Sequence, residues 1–380
     1  MNTNTRNNRI DFLRGIAICL VLMLHFYLSY LRKSFSNIFP ENLFQAVFIN
    51  GNYGVTIFFA ISGYLITSRS IGRYGDLKNI NTFNFYTLRF ARIFPCIVLA
   101  LAMVSVLAML GVSSFVSASR VPEFANLPVW LPALSVLTFW HNVLMEQYGY
   151  FNYALNIYWS LSVEEIFYLF FPVICIGIKR RTWLYALMCV LIITGPIYRQ
   201  VHKADELFFM YGYLACFDAI SFGCLAALLQ NTLLGEKLQN KLVQIGAVLL
   251  LSCTYLFGIH GNETFGFSLI AIATAILLIG SSRQLMPQNI IFTFILRPVQ
   301  LCGRLSYELY LFHIIILGLI RYFIKPGSLN WINSFGLFLV YFSLSLSVSY
   351  LIFRFYSEPL NQKIRQYWLN IKPKVILWQT

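Results

Sequence analysis

The chain has 380 residues, of which 58% are hydrophobic, 17% aromatic and only 11% charged, with a formal net charge of +14. A mean hydropathy of +0.68 excludes an ordinary soluble domain, and the lack of alternating strand-length patterns excludes a membrane barrel. The positive charge does not require nucleic acid, because a cytoplasmic surplus of Lys and Arg on a membrane protein accounts for it.

Apolar runs of about 17–25 residues can each cross roughly 30 Å of hydrocarbon. Ten are predicted, near residues 12–31, 53–69, 93–112, 157–178, 182–199, 210–230, 241–259, 264–281, 305–324 and 333–353. The expected fold is therefore an all-α membrane protein with about ten transmembrane helices and both termini cytoplasmic. Residues 1–356 form one integral-membrane domain, and 357–380 form a short cytoplasmic tail. The opening MNTNTRNN is not a cleavable signal, since no small-residue cleavage site follows the first apolar run. With the amino terminus inside, 21 of the 28 Lys and Arg fall on the cytoplasmic side, from Arg6 and Arg9 to Lys372 and Lys374. The stretch 131–144 is read as an outer-face or re-entrant helix. Counted as a span, it would turn Lys179, Arg180 and Arg181 outward.

Arg14 and His25 lie in the first run. An ionisable residue inside a bilayer is a functional-site hypothesis by default. Eleven positions at ~100° each close to within about 20° of three turns, so both lie on one helix face, roughly 16 Å apart in height. They suggest a path for substrate or cofactor. The bland alternative is an arginine that snorkels and a histidine that bonds a neighbouring helix.

In the second run, Gly54 to Tyr64 mixes aromatic with small residues, and Ser62-Gly63 permits close approach of a helix or a narrow ligand. No GxSxG elbow supports Ser62 as a nucleophile. Between the second and third runs come Arg69, Arg73, Lys78, Arg89 and Arg92. Arginine forks suit phosphate groups, although anionic lipid headgroups would suit them as well.

The fourth run opens Tyr158-Trp159-Ser160-Leu161-Ser162-Val163-Glu164-Glu165. Counting from the predicted helix ends puts Glu164 at a depth similar to His25, with Asp218 and Ser62 slightly deeper. An imidazole oriented by a carboxylate is a standard device for deprotonating a hydroxyl, so Glu164 is expected to orient His25. Otherwise it is a helix–helix clasp. Ser160 shares the Glu164 face, and Glu165 is read as a packing partner. His313 is a secondary candidate, Arg304 and Glu308 are expected to form a local ion pair, and His141, His202 and His260 are expected to be inert near loops or surfaces. The eight cysteines form no CxxC pair or Cys/His cluster, so free buried thiols are expected and no metal site is indicated.

In chain order these elements resemble the integral-membrane acyltransferase family three, the O-antigen and exopolysaccharide acetylases. The elements are Arg14-x10-His25, Gly54 to Tyr64, Arg89-x2-Arg92-Ile93-x-Pro95, Trp159-Ser160-Leu161-x2-Glu164, and Leu305 to His313. The resemblance covers essentially the whole chain. It implies a multi-pass protein of the bacterial inner membrane that takes acyl-CoA, usually acetyl-CoA, from the cytoplasm and acylates a hydroxyl of a glycan or glycolipid outside.

On that resemblance the catalytic residues are His25, Glu164 and Arg14, and the donor-binding residues are Arg89, Arg92 and Arg69. From their positions along the helices, Ser62, Ser160, Asp218 and His313 are expected to line the substrate pocket, and neither metal nor nucleic acid is expected to take part. His25 serves as general base or as acyl carrier. The rival reading is a transporter of glycan or lipid-linked intermediates, which the absence of internal repeats disfavours.

Overall fold

The computed structural model describes residues 7–31, 46–116, 128, 130–281, 290–327 and 329–370, which hold helices and turns and no β-strand. Arg6, Lys372 and Lys374 lie outside the described residues. The helices are α1 (Asn8–Phe26), α2 (Tyr53–Tyr74), α3 (Thr82–Met109), α4 (Trp130–Leu137), α5 (His141–Tyr148), α6 (Trp159–Gly177), α7 (Arg181–Val201) and α8 (Glu206–Tyr211). They continue with α9 (Tyr213–Leu229), α10 (Leu233–Leu238), α11 (Lys241–Phe257), α12 (Glu263–Gly280), α13 (Ile290–Arg304), α14 (Ser306–Phe323), α15 (Trp331–Ile352) and α16 (Glu358–Leu369).

Among the described residues, nine segments are long and apolar enough to cross a bilayer, and each falls on a predicted run. The tenth predicted run, 241–259, forms α11, whose 17 residues fall short. At 1.5 Å per residue it is about 26 Å long, a few ångströms less than typical hydrocarbon thickness. The stretch 131–144 breaks into the eight-residue helices α4 and α5, each too short to span. One helix, α13, was not expected as an element. It packs along α1, where Gly15 meets Val299 and Gly303 meets the Asp11 carbonyl.

Helix starts follow from side-chain caps. Asn7 accepts from the backbone N–H groups of Arg9 (3.0 Å) and Ile10 (3.4 Å), and Asn81 accepts from that of Asn84 (2.9 Å). Lipid tails give apolar side chains no reason to leave them, so helices in a bilayer associate through close packing and buried polar contacts. The α2–α9 crossing follows this rule. Gly63 faces the Ile220 carbonyl and Gly223 faces the Ala60 carbonyl, and a Cβ at either position would collide with backbone. The approach expected at Ser62-Gly63 is thus made by α9. Helices α2, α9 and α14 are the most enclosed, while α7 and α15 leave most of their surface bare, including Val190, Ile193 and Ile197. All eight cysteines are free; Cys189 and Cys253 are exposed on the bundle surface, against the expectation of burial.

Two π-helical turns bend the chain where the site needs it. Tyr27–Leu31 begins two residues after His25, and Phe353–Ser357 joins α15 to α16. After the second turn, α16 packs against α3.

Candidate active site

Two cavities adjoin along α1. Arg14 lines one, of about 260 Å³. Val21 and His25, two to three turns farther along the helix, line the other, of about 390 Å³. Val55, Phe59 and Tyr310 border both, so the cavities share a wall there. The common helix face predicted for Arg14 and His25 therefore serves both chambers.

The first cavity is basic, lined by Arg14, Arg69, Arg73, Arg89, Arg92 and Arg365. Its carboxylates already have partners. Arg89 Nη2 donates to Glu165 at 3.2 Å and lies 3.6 Å from Glu164, with its guanidinium carbon 3.3 Å from the centre of the Tyr168 ring. Glu164 also accepts from the Ser62 hydroxyl and from Tyr168 at 2.6 Å. Arg92 pairs with the fully buried Glu308 at 3.4 Å, and the Ser357 hydroxyl donates to the same carboxylate at 2.7 Å. The local Arg304–Glu308 pair is therefore replaced: Arg304 lies 3.6 Å from Asp11 instead. Helical spacing permits an i,i+4 pair, but a fully buried carboxylate gains more from the cation facing it across the helix interface.

The second cavity is largely aromatic. The Trp159 and Tyr211 rings stand 4.6 Å apart, and Asn52, Glu206, Asp218 and His25 are among the residues that supply polar atoms. His25 Nδ1 lies 2.8 Å from the Val21 carbonyl, and His313 Nδ1 lies 2.8 Å from the Leu309 carbonyl. A carbonyl only accepts, so each Nδ1 carries the proton in the neutral ring. The His313 Nε2 lone pair then sits 3.4 Å from His25 Nδ1, and the unprotonated nitrogen of His25 is Nε2.

The expected His25–Glu164 pair is not formed, since the two residues line different cavities and Glu164 is held by Arg89, Ser62 and Tyr168. Counting residues from helix ends fixes height alone and leaves the direction around the axis open. His313, expected to line the pocket, lines neither cavity and sits behind His25. Ser62 and Ser160 line the basic chamber and Asp218 the aromatic one. Ser160 also bonds the Tyr310 hydroxyl at 2.6 Å, which ties α6 to the shared wall.

Sequence reasoning did not single out Arg199. It is 1% exposed and donates to Asp218 and Ser268, both at 2.7 Å, and to the Thr264 (3.0 Å) and Ala215 carbonyls. The signal was present, because a lone arginine and a lone aspartate in neighbouring spans imply each other. His141, expected to be inert near the surface, is fully buried and bonded to the Ser135 hydroxyl at 2.7 Å. Burial pushes its imidazole down to about 3, so it stays a neutral packing element. Among the described residues, no group of three or more His, Cys, Asp or Glu is arranged to hold a metal ion.

An acyltransferase-domain family profile matches residues 7–354. The O-acetyltransferase OatA of Staphylococcus aureus strain NCTC 8325 / PS 47 is 22% identical over 375 residues, covering 93% of this chain and 57% of its own length. SACOL0978 of S. aureus strain COL is 26% identical over 389 residues, with the same 93% and 57% coverage. The chain thus spans just over half the length of these curated relatives. No solved structure matches it. The profile runs from the residue that caps α1 to the second π-helical turn, taking in both cavities and nearly every residue around them, and the chain belongs to the integral-membrane acyltransferase family three.

Proposed function

We propose that this chain is a membrane O-acyltransferase of the bacterial inner membrane. On this reading it takes an acyl group, acetyl by analogy with its relatives, from cytoplasmic acyl-CoA. It transfers that group to a hydroxyl of a cell-surface glycan or glycolipid. The observation that carries the reading is the pair of adjoining cavities, one basic and one aromatic with a histidine in it.

The basic chamber faces the cytoplasm and takes the phosphates and pantetheine arm of the donor. The aromatic chamber faces outward and takes the acceptor, with Asn52 available to its hydroxyls. Apolar walls with a few convergent polar groups are the usual make-up of a small-molecule site. His25 Nε2 removes the proton of the acceptor hydroxyl, whose oxygen attacks the thioester carbonyl. The tetrahedral intermediate collapses to the ester, and the departing thiolate takes the proton back from His25 to leave as free thiol. Alternatively His25 Nε2 itself accepts the acyl group and passes it on. The Val21 carbonyl holds the required tautomer, with His313 packed behind the ring.

A transporter of glycan intermediates would also use two joined chambers, so the test follows the label. Membranes containing the protein are incubated with acetyl-CoA labelled in the acetyl group and with candidate glycans. Ester-linked label on the acceptor, absent from a His25→Ala protein that still inserts, supports the enzyme. Movement of acceptor across the membrane without label would replace this reading with the transporter.

A further inference from the structure

The arginines of the basic chamber are not equivalent. Arg89 is committed to Glu164, Glu165 and Tyr168, and Arg92 to the buried Glu308 with Tyr307 beneath it. Both are neutralised by the protein's own carboxylates. Two others line the same chamber with no ion pair among the described residues: Arg73, in the last turn of α2, and Arg365, on α16. The Arg365 Nε is buried without a hydrogen-bond partner. Glu358, about two turns earlier on the same helix, forms no ion pair with Arg365 and accepts from Asn361 (3.2 Å) and Gln362 (2.9 Å). Arg365 lies within the electrostatic reach of Glu358, which attracts it, and of Arg73 and Arg92, which repel it. Like charges gathered around a cavity, one with a buried and unsatisfied donor, are costly unless an anion joins them.

We infer that Arg73 and Arg365 grip the phosphate-bearing end of the acyl donor, and that α16, beyond the last span, completes the donor site. This rests on the acyl-CoA reading proposed above. It assigns Arg89 and Arg92 to holding the chamber wall. The π-helical turn Phe353–Ser357 is what brings α16 back against α3, so that Arg365 reaches the cavity. A guanidinium fork meets phosphate oxygens through two parallel charge-assisted bonds, a geometry that neither lysine nor glutamine reproduces.

The experiment measures equilibrium binding of coenzyme A to the full chain in nanodiscs of phosphatidylcholine alone, with pantetheine as the phosphate-free control. R73Q and R365Q should each weaken coenzyme A binding roughly 10- to 100-fold, leave pantetheine binding unchanged, and raise the donor KM more than they lower kcat. R365K should recover part of the loss, and it carries the test if R365Q fails to fold. Unchanged affinity in both glutamine variants, beside a wild type that binds, overturns this inference and leaves the acyl-CoA reading standing. A wild type that binds no coenzyme A overturns both. Repeating the series in discs containing phosphatidylglycerol separates the other phosphate source. If the variants alter only the dependence on that lipid, the two arginines hold headgroups and the inference is wrong.

Discussion

Replacing Arg199 by methionine tests the buried pair beside the aromatic chamber. The substitution keeps much of the side-chain length and removes four hydrogen bonds, including the 2.7 Å bond to Asp218, from a site where both side chains are 1% exposed. Asp218 would keep only the Ser268 hydroxyl (2.6 Å) and the Ala219 N–H (2.8 Å). Breaking a buried pair by removing one partner costs about 3–5 kcal/mol, against a total stability of about 5–15 kcal/mol. Arg199→Met should therefore lose about a fifth or more of the stability. The double variant Arg199→Met, Asp218→Leu leaves no charge uncompensated and should recover most of it, since apolar replacement of a whole pair is often neutral. Unfolding in mixed micelles of increasing sodium dodecyl sulfate, followed by helicity, reads the difference. A loss below about 1 kcal/mol in the single variant would mean that the site is wet and the reasoning from burial mistaken. Transfer should stay impaired in the double variant whatever its stability, because Asp218 lines the chamber.

Three further outcomes follow from the same geometry. His25→Ala should lower transfer by about 10²–10⁴-fold. His313→Ala should lower it only about tenfold or less, because His25 keeps its Val21 bond and loses a long 3.4 Å contact; equal losses would make His313 a second catalyst. Arg92→Ala should reduce the folded fraction as well as transfer, because it strands the fully buried Glu308, and the double variant with Glu308→Gln should fold better, as scored by gel filtration in detergent. Burial raises Glu146 on α5 to about 7, with His202 opposing the rise and Asp205 adding to it. The folded state then holds a proton that the unfolded chain releases near 4.5, so stability falls as pH rises from about 4.5 to about 7. Glu146→Gln should flatten that part of a melting-temperature profile, and an unchanged slope would assign it to another group.

Much of the fold was legible because length and hydropathy alone fix a span in a bilayer. The nine long apolar segments fall on predicted runs, and 131–144 resolves into helices too short to cross. Ser62-Gly63 announced a close crossing because only a missing side chain lets two backbones meet. What failed were the pairings between helices, which depend on direction around each helix axis. Glu164 and His25 were matched by depth and line different cavities, and Glu308 was matched to its sequence neighbour Arg304 and pairs with Arg92. Arg199 went unremarked as one positive charge in a topology count. His141 was judged by its loop position, although its burial depends on the packing of α5 against α6.

The same separation of depth from direction bears on how His25 would work. A carboxylate behind the imidazole would stabilise the imidazolium strongly, which helps remove the acceptor proton and hinders its return to the thiolate. Here the groups behind His25 are the Val21 carbonyl and the neutral ring of His313. They fix the tautomer and add no full negative charge. On the proposed reading the proton has to leave His25 within the same turnover, so a weakly held imidazolium suits the cycle better than a tightly held one. The buried carboxylates nearby are engaged elsewhere, Glu164, Glu165 and Glu308 with Arg89 and Arg92 and Asp218 with Arg199. With Arg89 and Arg92 neutralised within the wall, the proposed reading gives the donor's charge to Arg73 and Arg365 among the chamber's other cations.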